Sequence, residues 1–440
     1  MKSSNWIAGL DELDRADIVV AGGGPSGLAA ALAAARNGGN VLLLEQGSSL
    51  GGMAGAGMVP LLAATSDGHN LTAAGIGMEI TGEVVRRMGV TEFNHEWQPI
   101  NPEIVKQVGD EWVTAAGIKL YFGQKVAAVE RNDRRIVSLA VAGPQGLKRI
   151  GGKVFVDATG DAIVTALAGG EFEMGDADGT TMSPTLCVQY AGVDWPAYHA
   201  AVKQGRSAGI IWRELLEKGL APLPEYHFIG AFQTGPTTAT GNLGHIYGVN
   251  GIREADLTRG YLEGRRIAVA IHEFYVRYVP GFQHSELVST AALLGLRETR
   301  RICGDYRLTR DDYCRRATFP DEIGRYAYPI DIHASSTSPE DQQRVLQELA
   351  ATQYQPGENY GIPYRTLLPR GLENLAVAGR SISCDRAMQS SLRVMPACFL
   401  TGQAAGTAAA LSMPSHGVLR AVKPDTLRAV LRQKLGAFLP

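Results

Sequence analysis

The middle of the chain carries the side chains best suited to chemistry. His245 and Tyr247 lie in the loop-like, glycine-rich stretch Gly235 to Gly251, and His333 closes Tyr328-Pro329-Ile330-Asp331-Ile332-His333. An imidazole near neutral pH can take a proton from O–H, N–H or an adjacent carbon. His245, with Tyr247 beside it, is the first candidate for that base and His333 the second. Arg297 stands in Gly295-Leu296-Arg297-Glu298-Thr299-Arg300-Arg301. The stretch is read as a helix that puts Arg297 on one face with Arg300 and Arg301. A guanidinium there can grip a carboxylate or the polar edge of a cofactor. For Arg300 a solvated helix face explains the charge equally well.

These groups need a frame, and Asp17 to Glu45 supplies its start. Ile18 to Ala21 is a short apolar run of the kind a buried parallel strand requires. Gly22, Gly24 and Gly27, with Pro25 and Ser26 between them, fit G-x-G-x-x-G at a strand-to-helix turn. Gly22 permits the turn, Gly24 lets backbone approach a pyrophosphate, and Gly27 lets the helix pack on the strand. The free N–H groups of that helix start favour an anion. Val41 to Leu44 is a second buried strand, and Glu45 at its end can accept hydrogen bonds from an adenosine ribose while repelling a 2′-phosphate. Both strands, the helix and the acid accompany the glycines, so the stretch predicts a dinucleotide site.

Composition narrows the class. A chain of 440 residues has room for two or three domains with substantial cores. A net charge of −2 gives no reason to expect nucleic acid or an anionic membrane as partner. No uninterrupted apolar stretch reaches membrane-spanning length. Met1 to Arg15 lacks the regions of a signal peptide and is read as a short tail, so a cytoplasmic location is expected. The five cysteines are odd in number and form no C-x-x-C, so neither a disulfide framework, a redox dithiol nor a structural zinc site is expected, and no metal is assigned.

Along the chain, Ser48 to Met58 is too glycine-rich for a regular element and reads as a loop against the middle of a cofactor. Helices are expected over 78–88 and 101–116, the latter with Asn101 as N-cap and Pro102 at its first position. Strands are expected over 118–122, 125–130, 136–141 and 154–156. The last ends in the small-residue turn Asp157-Ala158-Thr159-Gly160-Asp161, where Asp161 can cap a helix over 162–168. Residues 171 to about 360 are denser in aromatics, histidines and arginines, as a substrate chamber would be. Leu375 to Ala378 reads as a buried strand ending at Gly379-Arg380. Pro396 opens a helix of small residues running to Leu411.

With both ends in view, the chain resembles the FAD-dependent oxidoreductase family within the glutathione-reductase-like flavoprotein superfamily, from Asp17 to about Leu411. The glycine motif with Glu45, Leu50-Gly51-Gly52-Met53 and Phe155 to Asp161 carry the likeness. So do Gly295 to Arg301, Tyr328 to His333, Asn374 to Arg380, Arg393-Val394-Met395-Pro396 and Gly402-Gln403-Ala404-Ala405-Gly406. The resemblance implies an α/β fold: a Rossmann-like FAD-binding domain with a parallel sheet, plus an inserted mixed α+β substrate domain. It divides the chain into 1–170, with a capping segment near 55–100, then 171–364 as the insertion, then 365–440 returning to the FAD-binding domain. It implies FAD held by Gly22, Gly24, Pro25, Ser26, Gly27, Glu45 and Gln46. It places Gly51, Gly52 and Met53 along the ribityl chain and Val126 near the adenine. Thr159, Gly160, Asp161, Gly379 and Arg380 flank the pyrophosphate and ribityl groups, while Arg393, Val394 and Met395 offer backbone N–H groups to the flavin's pyrimidine edge. Met53 stands where some relatives carry a flavin-linked histidine, so non-covalent FAD is expected. Two departures are plain. Arg386 and Ala387 replace a histidine and glutamate found in many relatives, and no second G-x-G-x-x-G or paired cysteines provide for disulfide reduction.

The expected activity is FAD-dependent removal of hydride from a small organic substrate to flavin N5, as a dehydrogenase or oxidase whose electrons leave to oxygen or a carrier protein. The alternatives are a C=C reductase fed by a partner protein and a non-catalytic flavin-binding protein. A homo-oligomer is compatible with the sequence.

Overall fold

The computed structural model describes residues 6–228 and 230–440. The apolar run at Ile18 is the inner half of a longer strand, Glu12–Ala21, so Glu12 to Arg15 belong to the sheet and not to a tail; Met1 to Asn5 lie outside the described residues. This strand pairs in parallel with Val41–Leu44 on one side and with Gly146–Asp157 on the other. Lys119–Tyr121 extends the sheet beyond Val41–Leu44, again in parallel. Arg135–Gly143 and Lys125–Asn132 extend it antiparallel on the far side.

Gly146–Asp157 joins the two ends of the chain. Its first half pairs with Arg135–Gly143. Beyond that, Phe155, Val156 and Asp157 take Leu375, Ala376 and Val377 as parallel partners. Seven strands therefore form one mixed sheet with a parallel centre.

The Pro25–Arg36 helix lies against the Met395–Leu411 helix at backbone distance. A Cβ on Gly402 would stand 2.1 Å from the Ser26 carbonyl oxygen, and one on Gly406 2.0 Å from that of Ala30. Small residues four apart on both helices make this crossing. Hydrophobic side chains from 18–158 and from 308–439 share the resulting core.

A second core draws on Met58 and residues 186–294. It lies around a four-stranded antiparallel sheet of Gly230–Gln233, Ala239–Asn242, Val188–Ala191 and Glu286–Thr290, in that order. Trp212, Tyr190, Phe274, Tyr275 and Phe282 fill it, with the Trp195–Lys203, Ala208–Glu217 and Glu254–Tyr278 helices around it.

Several expected elements hold with small shifts at their ends. The helices are Ile76–Arg87 and Pro102–Ala115, and the Asn101 side chain accepts from Glu103 N–H at 2.9 Å. Three further expectations fail. The stretch 235–251 is not all loop, because Ala239–Asn242 in it is a strand held by pairing on both sides. Arg297, Arg300 and Arg301 are not on a helix: Arg300–Ile302 is a strand paired with Phe172–Met174, and Arg297 lies in the loop before it. Spacing alone does not identify a helix when the partner strand lies more than a hundred residues away. Asp161 does not cap the following helix, which starts after Ala162 in a left-handed conformation; Thr159 Oγ1 accepts from Ile163 N–H at 3.0 Å instead. Among the described residues, no single helix is long and apolar enough to cross a membrane.

Candidate active site

The glycine turn is built for close approach. Gly22 has φ +101°, and a Cβ there would lie 2.5 Å from the Ala158 carbonyl oxygen; one on Gly27 would lie 1.7 Å from that of Gly22. Opposite it, Gly51 N–H donates to Gly23 carbonyl at 2.9 Å, and a Cβ on Gly52 would stand 2.7 Å from Gly24 Cα. Gly24 itself has only Gly52 near its side, at 3.8 Å, so the backbone there is open to a ligand. The helix that begins at Pro25 has no side-chain cap. Its first N–H groups are free for an anion.

Glu45 is buried and holds this turn. Oε2 accepts from Gly23 N–H at 2.7 Å and Oε1 from Gly47 N–H at 2.6 Å. Each oxygen keeps a lone pair for a ribose hydroxyl. Gln46 is exposed. Gln124 N–H donates to the Glu45 carbonyl at 2.9 Å, which brings Val126 to the same end of the sheet. Glu45→Ala strands two N–H groups, and charge-assisted hydrogen bonds contribute about 1.5–3 kcal/mol. We expect dinucleotide affinity to fall about ten- to hundredfold, read by fluorescence titration of the apoprotein.

The C-terminal pieces close the cradle. Thr159 Oγ1 donates to Asp157 at 2.7 Å, and Gly160 (φ +76°) lies under the Arg380 guanidinium. Arg380 donates to Asp161 Oδ1 at 2.5 Å, while its Nε and the Ser381 hydroxyl are buried without partners among the described residues. Gly379 adjoins Ser26, where a Cβ would meet Oγ at 2.7 Å. Two orphaned donors, an uncapped helix start and glycines that leave no room for Cβ atoms fit a pyrophosphate-bearing cofactor such as FAD.

Beyond the cradle a cavity of about 640 Å³ opens. Met53, Val394 and Met395 line it, and so do Thr185, His227, Arg297, Asp331 and His333. The Met395–Leu411 helix also begins without a side-chain cap. Its positive end faces this space. Arg393 donates to Asp331 Oδ2 at 2.9 Å and to its carbonyl at 3.0 Å, tying the loop that carries His333 to the helix start.

The two histidines chosen from sequence as alternatives are bonded to each other. His245 Nε2 and His333 Nδ1 stand 2.6 Å apart. Thr185 pairs through its backbone with both His245 and Gly295, and so sets His245 and the Arg297 loop on either side of itself. Behind His245, Glu225 Oε1 lies 2.5 Å from Nδ1, and its Oε2 accepts His245 backbone N–H at 3.1 Å. His227 stacks on His333 with ring centres 4.7 Å apart. Burial above all pushes His227 down to about 4. Burial, with the Arg297 charge next, holds His333 well below the usual imidazole range. Burial alone would raise Asp331, but its neighbours, the Arg393 guanidinium that donates to it at 2.9 Å among them, outweigh that and hold the carboxyl well below its usual range.

The His227, His245 and His333 nitrogens lie within 4.8 Å of one another. Two nitrogens on one tetrahedral zinc would be roughly 3.3 Å apart, given Zn–N bonds near 2.0–2.1 Å. The 2.6 Å contact between His245 and His333 is instead that of a shared proton.

Arg297 is buried, and its Nη1 donates to Ser183 carbonyl at 2.5 Å and Thr185 Oγ1 at 3.0 Å. Among the described residues no carboxylate pairs with it. Burial, then the Arg393 charge, pushes it down to about 10, so it stays cationic at neutral pH. Arg301, by contrast, is neutralised by buried Glu298, which Arg386 also contacts at 3.1 Å. Tyr247 lies outside the cavity wall; its ring is 6.1 Å from that of His245, and its buried hydroxyl has no partner among the described residues. The sequence marks Asp331 only as accompanying His333 and gives Glu225 and His227 no acting role. An acid two residues before a histidine is common in any loop, and only folding puts these beside one another.

The family described as FAD dependent oxidoreductase matches residues 17–431. No curated protein matches the chain in sequence. Among solved structures, THI4 of Thermovibrio ammonificans is 23% identical over 36% of this chain and 64% of its own, with a TM-score of 0.28. The chain thus spans less than two thirds of that protein. A geranylgeranyl bacteriochlorophyll reductase-like protein of Thermoplasma acidophilum is 11% identical over 96% of this chain and 84% of its own, with a TM-score of 0.45. The p-nitrophenol 4-monooxygenase PnpA of Pseudomonas putida is 13% identical over 96% and 87%, with a TM-score of 0.42. Likenesses this distant say nothing of the reaction.

Proposed function

The chain belongs to the FAD-dependent oxidoreductase family, and from that premise we propose that it oxidises a small organic substrate in the cavity between Met395 and His333. The observation that carries this reading is that one void of about 640 Å³ is lined both by the uncapped helix start and by His333 and Arg297. Bound FAD supplies a hydride acceptor, which we take to be N5. Val394 and Met395 would hold the flavin's pyrimidine edge by backbone N–H groups, where the helix end favours negative charge. Arg393, expected from the sequence to share this role, instead spends its backbone N–H on the Gln389 carbonyl at 2.9 Å, because it ends the preceding helix. Arg297 orients an anionic group of the substrate. His333 accepts the proton that leaves with the hydride, and the bond to His245 supports it.

The rest of the reading follows the sequence. FAD is non-covalent, within the glutathione-reductase-like superfamily. Residues 1–170 and 365–440 bind it, and 171–364 form the substrate part; the separate core over 186–294 supports that division for most of the insertion, whereas 308–364 pack into the core shared with 18–158. Electrons leave to oxygen or a carrier protein, in the cytoplasm.

The test is anaerobic mixing of the FAD-loaded protein with alcohols, amines, hydroxy acids and sugars, following loss of flavin absorbance. Bleaching by one class supports the reading. No bleaching by any of them, with reduction of an activated C=C bond by the pre-reduced protein, would reverse it. Arg297→Met is expected to raise the half-saturating concentration of an anionic substrate about 10- to 100-fold with a smaller change in limiting rate, because a uniformly used anchor acts on binding. Saturation curves of flavin reduction measure both.

A further inference from the structure

We propose that Glu225, which does not line the cavity, decides which nitrogen of His333 is basic. The inference rests on the reading of His333 as proton acceptor. Glu225 is a positioning residue that acts through His245.

The geometry assigns the protons in series. Glu225 is buried, and although burial alone would raise its carboxyl, the neighbouring His245 holds it below the usual range. A carboxylate only accepts, so His245 Nδ1 at 2.5 Å must carry the proton between them. With its proton on Nδ1, neutral His245 has a lone pair on Nε2. His333 Nδ1, 2.6 Å away, must then donate to it. The lone pair of neutral His333 is left on Nε2.

Asp331 could impose the opposite order from the other end, and the distances decide against it. Its Oδ2 is 3.4 Å from His333 Nε2 and already accepts from Tyr328 hydroxyl at 3.0 Å and Arg393 at 2.9 Å. Glu225, at 2.5 Å, is the stronger partner. Asp331 is left facing an unprotonated Nε2, where its charge favours arrival of a proton. When the substrate's proton reaches Nε2, the Nδ1 proton can pass to His245 and the His245 proton to Glu225, so charge moves away from the cavity and no atom is gained or lost.

One substitution tests the order. Oε2 of Glu225 also accepts the His245 backbone N–H at 3.1 Å. In Glu225→Gln the single amide oxygen keeps that bond, and the NH₂ group turns to Nδ1. A donor there requires a lone pair on His245 Nδ1 and a proton on Nε2, which reverses His333 as well. Nε2 then carries a proton and cannot accept another. Flavin reduction by saturating substrate is expected to slow about 10²- to 10⁴-fold, as when an orienting acid becomes an amide, with substrate affinity little changed.

The direct readout is the ¹⁵N spectrum of histidine-labelled, FAD-loaded protein, with signals assigned through His245→Gln and His333→Gln. Both imidazoles should show Nδ1–H in the native protein and Nε2–H in Glu225→Gln. A native Nε2–H form of His333, or spectra unchanged by Glu225→Gln, overturns the inference. Should Glu225→Gln not fold, the native spectrum alone still decides. Failure of the underlying reading is separate: His333→Gln would then reduce its flavin at the native rate whatever the tautomers are.

Discussion

His333→Ala should slow anaerobic flavin reduction by substrate about 10²- to 10⁴-fold, the range a positioned general base contributes. Bound FAD should be retained, because His333 contacts the cavity and not the glycine cradle. The effect is large because the imidazole is ready as a base. Burial and the Arg297 charge hold it well below the ordinary value near 6.5, so it is neutral at physiological pH. The sign fixes the pH profile. A base with a depressed pKa remains unprotonated as pH falls through 6.5, so the native rate should stay level there and decline only at lower pH. Stopped-flow reduction across pH, with the flavin content of each variant as control, measures both. A variant with unchanged reduction kinetics would remove His333 from the mechanism. A full decline centred at 6.5 would mean that its burial does not govern its protonation.

Gly406→Val should cost about 3 kcal/mol of stability, the upper end of ordinary overpacking, and should release FAD at lower denaturant concentration. A Cβ at this position would stand 2.0 Å from the Ala30 carbonyl oxygen, which is rigid helix backbone and cannot rotate aside as a side chain would. The helices must part. One of them opens at the glycine turn and the other at Val394 and Met395, so parting them separates two portions of the proposed FAD site. Gly406→Ala should show a smaller loss of the same kind. Denaturant unfolding followed by tryptophan and by released flavin fluorescence gives both quantities. Native stability in Gly406→Val would mean the helices are not in backbone contact.

Much of the frame was legible before any coordinates. Gly22 to Gly27, with apolar strands on either side and Glu45 after them, is a local arrangement whose steric and electrostatic demands fall on consecutive residues. The same holds for Asn101-Pro102-Glu103, where the cap accepts from the N–H two residues on. The helix expected over 295–301 failed because an extended segment and a helix can present the same residue types, and the choice was made by pairing with Phe172–Met174.

The sequence by itself determined the family, the glycine turn with its flanking strands and acid, and the pool of histidines and arginines from which a site could be drawn. Short-range sterics and hydrogen bonding go far toward that, as where Gly27 packs on Gly22 and the Asn101 cap accepts from Glu103 N–H, although Gly22, Gly402 and Gly406 also answer to residues far along the chain. Only the tertiary structure decided that His245 and His333 are one hydrogen-bonded unit, that Glu225 stands behind it, and that Arg297 remains without a carboxylate while Arg301 is neutralised. Those facts depend on distances between loops that meet only when the Thr185 backbone pairing and the Arg393–Asp331 clamp bring them together. In a buried setting such distances set protonation and charge, and no pattern of spacing along the chain encodes them.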